Sequence, residues 1–210
     1  MRATRAAQER EESTLQAQPS CHRGVILASA SPRRSELLAR MGIAYTVYVS
    51  QADESTDSQE PDVVVSLACR KAEAVAAQLA EGLILAADTI VLCQGRILGK
   101  PTDEADAARM LTYLAGQWHD VYTGLCALDA ATGAARTDIA RTRVHFLPMS
   151  QDTIARYVAT GEPMGKAGAY AIQGRAGMFI DAIEGSPSNV MGLPMAATRA
   201  LLQACGVAVD

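Results

Sequence analysis

The apolar stretch Val25 to Ala28 runs straight into Ser29-Ala30-Ser31-Pro32-Arg33-Arg34 and then into the helical spacing Ser35 to Met41. A strand that becomes a helix within a few residues commits the chain to combining sheet and helix from its first element. The turn is well specified. Ser31 suits an N-cap, and Pro32 suits the first helical position, where its fixed φ fits and its missing N–H is not needed. A helix N-terminus with free N–H groups, the hydroxyls of Ser29 and Ser31 and the guanidinium forks of Arg33 and Arg34 can hold a phosphate. The plainer alternative is a capped helix with two surface arginines, and only the rest of the chain separates the two.

That rest alternates between the two kinds of spacing. Leu37, Leu38 and Met41 share a helix face that Gly42 can end. Tyr45–Val49 reads as a short extended piece leading to Asp53-Glu54, and a second helix is expected from about Asp62 to Ala80. Leu83 to Cys93 is a strand-like apolar run, followed by a turn at Gln94-Gly95 and by Ile97-Leu98-Gly99-Lys100-Pro101. Thr102 is placed to cap a helix that carries Asp103 and Glu104 in its first turn and ends at Gly116. Val121–Leu128 and Thr137–Phe146 read as strands joined through Thr132-Gly133. Ser150 caps a short helix, Gly161 to Gly177 is glycine-rich, Met178–Ile183 reads as a strand, Glu184–Pro194 as a loop and Met195 to Ala204 as a terminal helix. Strands and helices intermix without strict alternation, so the expected fold is α/β, a mixed central sheet with flanking helices.

The 210 residues, 49% hydrophobic, suffice for one large domain or two closely packed lobes. Residues 1–23 are polar with mixed charge; they lack a secretory core, and their acidic residues argue against a transit peptide. They read as a disordered extension, or as a start placed too early, ahead of a single domain, 24–210. A net charge of −4 provides no global field for nucleic acid, and 4% aromatic residues make no base-stacking platform. The five cysteines are scattered without a C-x-x-C pair, which fits reduced thiols in the cytoplasm, and the three histidines are isolated. No apolar run reaches the roughly 18 residues of a membrane span.

Two charges interrupt apolar patterns. Asp88 is the one charged residue between Leu83 and Gly95, on the side of Ile84, Ala86 and Ile90 if the strand stays regular. A buried carboxylate is costly unless paired, hydrogen-bonded or metal-bound; the bland reading is a strand-end aspartate satisfying backbone N–H groups. Lys71 falls within the apolar stripe of Val64, Leu67, Ala68, Ala74, Val75 and Leu79, as a snorkelling lysine or as an ammonium aimed at an anion. Lys100 is held between Gly99 and Pro101 in a sequence that is no Walker A loop. Asp53-Glu54 with Asp88 could complete an oxygen site for Mg²⁺ or Mn²⁺. Gln173, among the small residues of Lys166 to Gly174, can donate and accept together, as reading a base edge requires. The polar stretch Glu184 to Asn189 suits the rim of a cleft.

In their order and spacing these segments resemble the Maf family, the septum-formation proteins that act as nucleoside triphosphate pyrophosphatases. The resemblance covers about residues 24 to 204. It rests on Ala28-Ser29-Ala30-Ser31-Pro32-Arg33-Arg34, Asp53-Glu54, Lys71-Ala72, Ala87-Asp88-Thr89-Ile90-Val91, Gly99-Lys100-Pro101, Lys166-Ala167-Gly168-Ala169-Tyr170 with Ile172-Gln173-Gly174, and Val190-Met191-Gly192-Leu193-Pro194. It implies an inosine-triphosphatase-like fold of two lobes around a nucleotide cleft, hydrolysis between the α- and β-phosphates, and a homodimer by analogy. Asp88 matches the family's catalytic acidic residue; Glu54, Lys71 and Lys100 match its other charged positions; Ser29 and Arg34 fall in its phosphate-binding turn. Arg33, Thr89 and Gln173 match positions that separate subfamilies by base, in a combination similar to the branch acting on dTTP, UTP and some modified pyrimidine nucleotides. The branch acting on 7-methyl-GTP commonly has an aromatic residue where Arg33 stands. Ala87 replaces the glycine or serine expected before the aspartate, a small-for-small change.

The mechanism this implies is metal-assisted. The triphosphate lies on the Ser29–Arg34 turn, Lys71 and Lys100 neutralise charge, and a divalent ion on Asp88 and Glu54 makes a bound water more acidic for in-line attack at the α-phosphorus. Asp88 as general base is the other assignment, and the sequence leaves both open. The rivals are an enzyme of the same fold with another base preference, 7-methyl-GTP or ITP, and a non-enzymatic nucleotide- or nucleic-acid-binding regulator of septum formation.

Overall fold

The computed structural model describes residues 24–56, 58 and 60–209; the extension 1–23 lies outside them. In chain order the elements are β1 (Val25–Leu27), α1 (Pro32–Arg40), β2 (Tyr45–Val47), α2 (Val63–Ala76), β3 (Leu83–Cys93), β4 (Arg96–Leu98), α3 (Glu104–Leu114), β5 (Trp118–Asp129), β6 (Ala135–Phe146), α4 (Gln151–Val158), β7 (Ile180–Glu184), α5 (Pro187–Val190) and α6 (Met195–Ala204). They build one mixed sheet of seven strands in the order β2-β1-β3-β5-β6-β7, with β4 also paired to β3. β1 runs parallel to β2 and β3, and every other pair is antiparallel.

Strand β3 reads as a nearly continuous apolar run because both of its faces are covered. Leu83, Leu85 and Ala87 pack with Leu37 and Leu38 of α1 and Leu201 and Leu202 of α6. On the other face Ile84 and Ala86 meet Ala68, Ala72 and Val75 of α2, and Ile90 meets Val64 and Leu67. Beyond Asp88, Val91 and Cys93 join a separate cluster with Leu111, Leu114, Phe146 and Ile154. Alternation thus places Asp88 toward α2, on the side of Ile84, Ala86 and Ile90.

One gap in this sheet matters for function. β1 pairs with Leu83–Leu85 of β3 and ends there, whereas β4 pairs with Val91–Cys93. Between them Ala86–Ile90 has β5 on one side and, among the described residues, no strand on the other. Asp88 is therefore not a strand-end residue; it lies in the middle of a strand whose neighbour stops short.

Several local expectations need correction. Ser31 occupies the N-cap of α1, but its side chain makes no capping bond. The cap of α3 is Asp103, which accepts from the Asp106 N–H, while Thr102 donates from both its N–H and its hydroxyl to the Asp106 carboxylate. α2 stops at Ala76, and its last turn tightens into bonds from Gln78 N to Val75 O and from Leu79 N to Ala76 O. Arg175–Phe179 forms a 3₁₀ turn, so the last strand starts at Ile180 and not at Met178. The stretch expected to be a loop from Glu184 to Pro194 contains the short helix α5. The β5–β6 hairpin is longer than its apolar cores, because polar Trp118–Asp120 still finds partners in Arg143–His145.

Candidate active site

The gap beside Ala86–Ile90 opens into a cleft of about 490 Å³. Its walls come from the β1–α1 turn, the segment after β2, α2, Lys100, the loop before β7 and the end of α5. This is the carboxyl end of the parallel strand β1, the usual ligand side of such sheets.

Four charged side chains from four parts of the chain meet on one wall. The Lys71 ammonium, 6% exposed, lies 2.5 Å from Asp88 Oδ1 and 3.0 Å from Glu54 Oε1. Lys100 Nζ lies 2.9 Å from Glu54 Oε2. Lys71 therefore does not snorkel; it is buried because a carboxylate meets it inside. Burial pushes the Glu54 pKa up, but the ammonium groups of Lys100 and Lys71 outweigh it and hold the carboxyl below its usual range. The expected Asp53-Glu54 pair splits: Asp53 turns to the N–H and hydroxyl of Ser55, away from the cleft.

The approach of α2 to this wall depends on Gly124. It stands opposite Asp88 in the β3–β5 ladder, and a Cβ there would lie 2.4 Å from the Val64 carbonyl carbon. Without a side chain at that position, the helix backbone rests directly on the sheet, which brings Lys71 within reach of Asp88. A glycine inside the apolar run Val121–Leu128 was the sequence signal for this close approach.

The facing wall is the Ser29–Arg34 turn. Ser29 is buried, and its hydroxyl accepts from the Ser31 N–H at 3.1 Å and from Arg34 Nη1 at 3.3 Å. Arg34 also donates from Nε to Gly192 O at 2.9 Å and from Nη2 to Thr89 Oγ1 at 3.2 Å. Burial lowers the Arg34 pKa, the Asp88 carboxylate opposes the shift, and Arg33 adds to it. Two adjacent guanidinium groups at a helix N-terminus form a strongly anion-seeking surface.

Thr89 lines the cleft, but its hydroxyl is engaged by Arg34 and by Thr123 Oγ1 at 2.9 Å. Thr123 Oγ1 donates to Asn189 O, and Asn189 Nδ2 donates to Val121 O and Thr142 Oγ1. This buried chain steadies Arg34 from behind. Nothing in the sequence marks it, because lone threonines carry no pattern. Asn189 is fully buried in it, so the rim belongs to the residues that follow, Val190–Gly192. Ser31, Arg33, Lys166 and Gln173 all line the cleft. Burial lowers the pKa of Lys166, and Arg33 lowers it further.

No group of three or more metal-binding side chains occurs among the described residues. Asp88 and Glu54 are the two carboxylates that could hold a divalent ion sharing its shell with substrate, since both are already gathered on the Lys71 ammonium, at 2.5 and 3.0 Å. Mg²⁺ commonly takes one or two carboxylates and completes its octahedron with phosphate oxygens and water.

The cleft beside the gap in the mixed sheet thus gathers two carboxylates, two lysines and an arginine-rich helix start among its lining residues. The chain belongs to the Maf family: the model for the Maf-like protein matches residues 24–205. It is 50% identical over 187 residues to the dTTP/UTP pyrophosphatase of Moorella thermoacetica, covering 88% of this chain and 96% of that protein. It is 46% identical over 184 residues to the dTTP/UTP pyrophosphatase of Pelotomaculum thermopropionicum, covering 87% and 96%. To that of Burkholderia pseudomallei it is 48% identical over 197 residues, covering 88% and 94%. Among the described residues no helix is long and apolar enough to cross a membrane.

Proposed function

We propose that this protein is a nucleoside triphosphate pyrophosphatase that converts dTTP and UTP to the monophosphate and pyrophosphate. The observation that carries the reading is the convergence of Glu54, Lys71, Asp88 and Lys100 on one wall of a cleft whose other wall is the Ser29–Arg34 turn. The relatives named for that activity support it over nearly their whole length.

The triphosphate binds along the turn, with Arg34 and the α1 N-terminus on phosphate oxygens. Lys71 and Lys100 release their hold on the carboxylates in part and neutralise charge on the leaving pyrophosphate, so that the protein supplies position and charge more than covalent chemistry. Asp88 and Glu54 would hold Mg²⁺ or Mn²⁺, which when bound polarises phosphate oxygens and acidifies water. Asp88 has one oxygen on Lys71 and offers the other to the attacking water's proton or to the metal. These two roles for Asp88 part in one measurement. As a ligand, Asp88→Asn raises the Mg²⁺ concentration needed for half-maximal rate; as a base alone, it lowers kcat and leaves that concentration unchanged. Arg33 and Gln173 face the base, and Thr89 acts through Arg34.

The test is pyrophosphate release with Mg²⁺ or Mn²⁺ across dTTP, UTP, CTP, GTP, 7-methyl-GTP and ITP. dTTP and UTP ranked first support the reading. ITP or 7-methyl-GTP first moves the base preference, and no release from any nucleotide overturns the activity. Free thiols at Cys69, Cys93, Cys126 and Cys205 support a cytoplasmic setting for this chemistry. The oligomeric state belongs to the same proposal: a homodimer, checked by sedimentation.

A further inference from the structure

The loop that carries Gln173 is built on Glu162 and Tyr157, neither of which lines the cleft. The Glu162 carboxylate accepts from the Tyr157 hydroxyl at 2.8 Å, from Arg175 N at 3.1 Å and from Ala176 N at 3.3 Å. The Tyr157 oxygen in turn accepts from Ala171 N at 3.3 Å. The backbone is thus pinned two residues before Gln173 and two residues after it. Between these pins, Gly174 lies directly on the carboxylate: a Cβ there would sit 2.5 Å from both Glu162 oxygens. The backbone carbonyl of Glu162 also takes a hydrogen bond from Lys166 Nζ at 2.5 Å, which fixes the second polar group at this end of the cleft.

Gln173 itself makes no hydrogen bond to another described residue, and its side chain is exposed to the cleft. The structure therefore holds Gln173 in the cleft through its backbone. Burial would raise the Glu162 pKa, but the Arg175 N–H, the Tyr157 hydroxyl and the Ala176 N–H outweigh it and keep the carboxyl below its usual range. An ionised carboxylate accepts on both oxygens, whereas an amide in its place presents one donor to these N–H groups.

We infer that Glu162, seconded by Tyr157, is a positioning residue for base selection, which holds Gln173 and Lys166 in register without touching substrate. This rests on the reading above that Gln173 faces the base. Positioned polar groups discriminate steeply, because a wrong base leaves them unpaired; a loop that drifts loses that penalty while phosphate chemistry elsewhere in the cleft continues.

The experiment measures kcat and KM for dTTP and GTP in the full chain and in Glu162→Gln, Glu162→Asp, Tyr157→Phe and Gln173→Ala, with a thermal melt of each. Glu162→Gln is expected to lower the dTTP-over-GTP ratio of kcat/KM about tenfold, through KM for dTTP, with kcat changed less than about threefold. Glu162→Asp, which keeps the charge, recovers part of the ratio. Tyr157→Phe lowers it less and serves if Glu162→Gln does not fold. A ratio that survives both Glu162→Gln and Tyr157→Phe but collapses in Gln173→Ala overturns the inference alone. A ratio that survives Gln173→Ala overturns the base-reading role beneath it. Equal loss on both nucleotides shows a merely structural role and also overturns the inference.

Discussion

Replacing Gly124 by alanine perturbs the active site without removing any charged group. The added Cβ would stand 2.4 Å from the Val64 carbonyl carbon, 2.5 Å from its oxygen and 2.6 Å from Val65 N, where ordinary contact begins at 3.4 Å. These are backbone atoms of α2, so no side chain can swing away, and the helix must retreat by about 1 Å to restore contact. Lys71 follows Val64 by seven residues on the same helix face, so a rigid shift carries its ammonium away from Asp88 and Glu54. Overpacking of this kind costs about 1–3 kcal/mol of stability. A misplacement of about 1 Å at a reacting centre can cost about 100-fold in rate, equivalent to about 2.7 kcal/mol of transition-state stabilisation. The assay is kcat/KM for dTTP by pyrophosphate release, with urea unfolding followed through Trp118, the sole tryptophan. Gly24→Ala is the control, since a Cβ there meets nothing within 4 Å. If Gly124→Ala stays within about twofold of the parent in kcat/KM and within about 0.5 kcal/mol in stability, as expected for an ordinary surface change, close helix approach does not build the site.

Other outcomes follow from the same charges. Asp88→Asn is expected to lower kcat by about 10²–10⁴, the usual worth of a general base, with far-ultraviolet circular dichroism unchanged; near-normal turnover removes Asp88 from the chemistry. Lys71→Met breaks a buried ion pair from one side and is expected to cost about 3–5 kcal/mol by urea unfolding, much of it recovered in Lys71→Met with Asp88→Asn. Should the single variant unfold like the parent, the pair is not the buried contact described. Glu54 has a folded pKa below its reference value of 4.5. Its contribution to stability is therefore fully present above about pH 4.5 and lost as pH falls through the lower folded value. The stability gap between the parent and Glu54→Gln should close on titration from pH 7 to pH 3; a gap that widens in acid contradicts the sign.

The sheet-and-helix character, the β3 run and the ends of α6 were legible because they are local matters. Both faces of β3 are covered, so its residues are apolar without a break, and a charge placed within it stands out. Asp88 and Lys71 were visible for that reason, each as a charge in an apolar pattern. Their partnership was not, since 17 positions separate them and no local rule pairs a strand residue with a helix residue. Thr102 is not the cap, although threonine and aspartate both suit that local geometry: the Asp103 carboxylate takes the Asp106 N–H, and the Asp106 carboxylate engages Thr102. The roles of Thr123, Asn189 and Glu162 were invisible for a related reason: one hydroxyl, amide or carboxylate carries no periodicity, and its use depends on which chain passes behind it.

The sequence by itself pointed to the residues that could carry phosphate chemistry: Asp88 and Lys71 as charges in apolar patterns, the Ser29–Arg34 turn and Lys100 by their constrained turns, and Glu54 through its pairing with Asp88 and the family resemblance. Only the tertiary structure decided that β1 stops where β4 has not begun, so that Ala86–Ile90 lies open beside a cleft. It alone brought α2 onto Gly124 and turned two isolated anomalies into an ion pair. Residue identity sets what a group can bind. Distances across the chain set whether it meets anything to bind, and those are fixed by the packing of elements far apart in sequence.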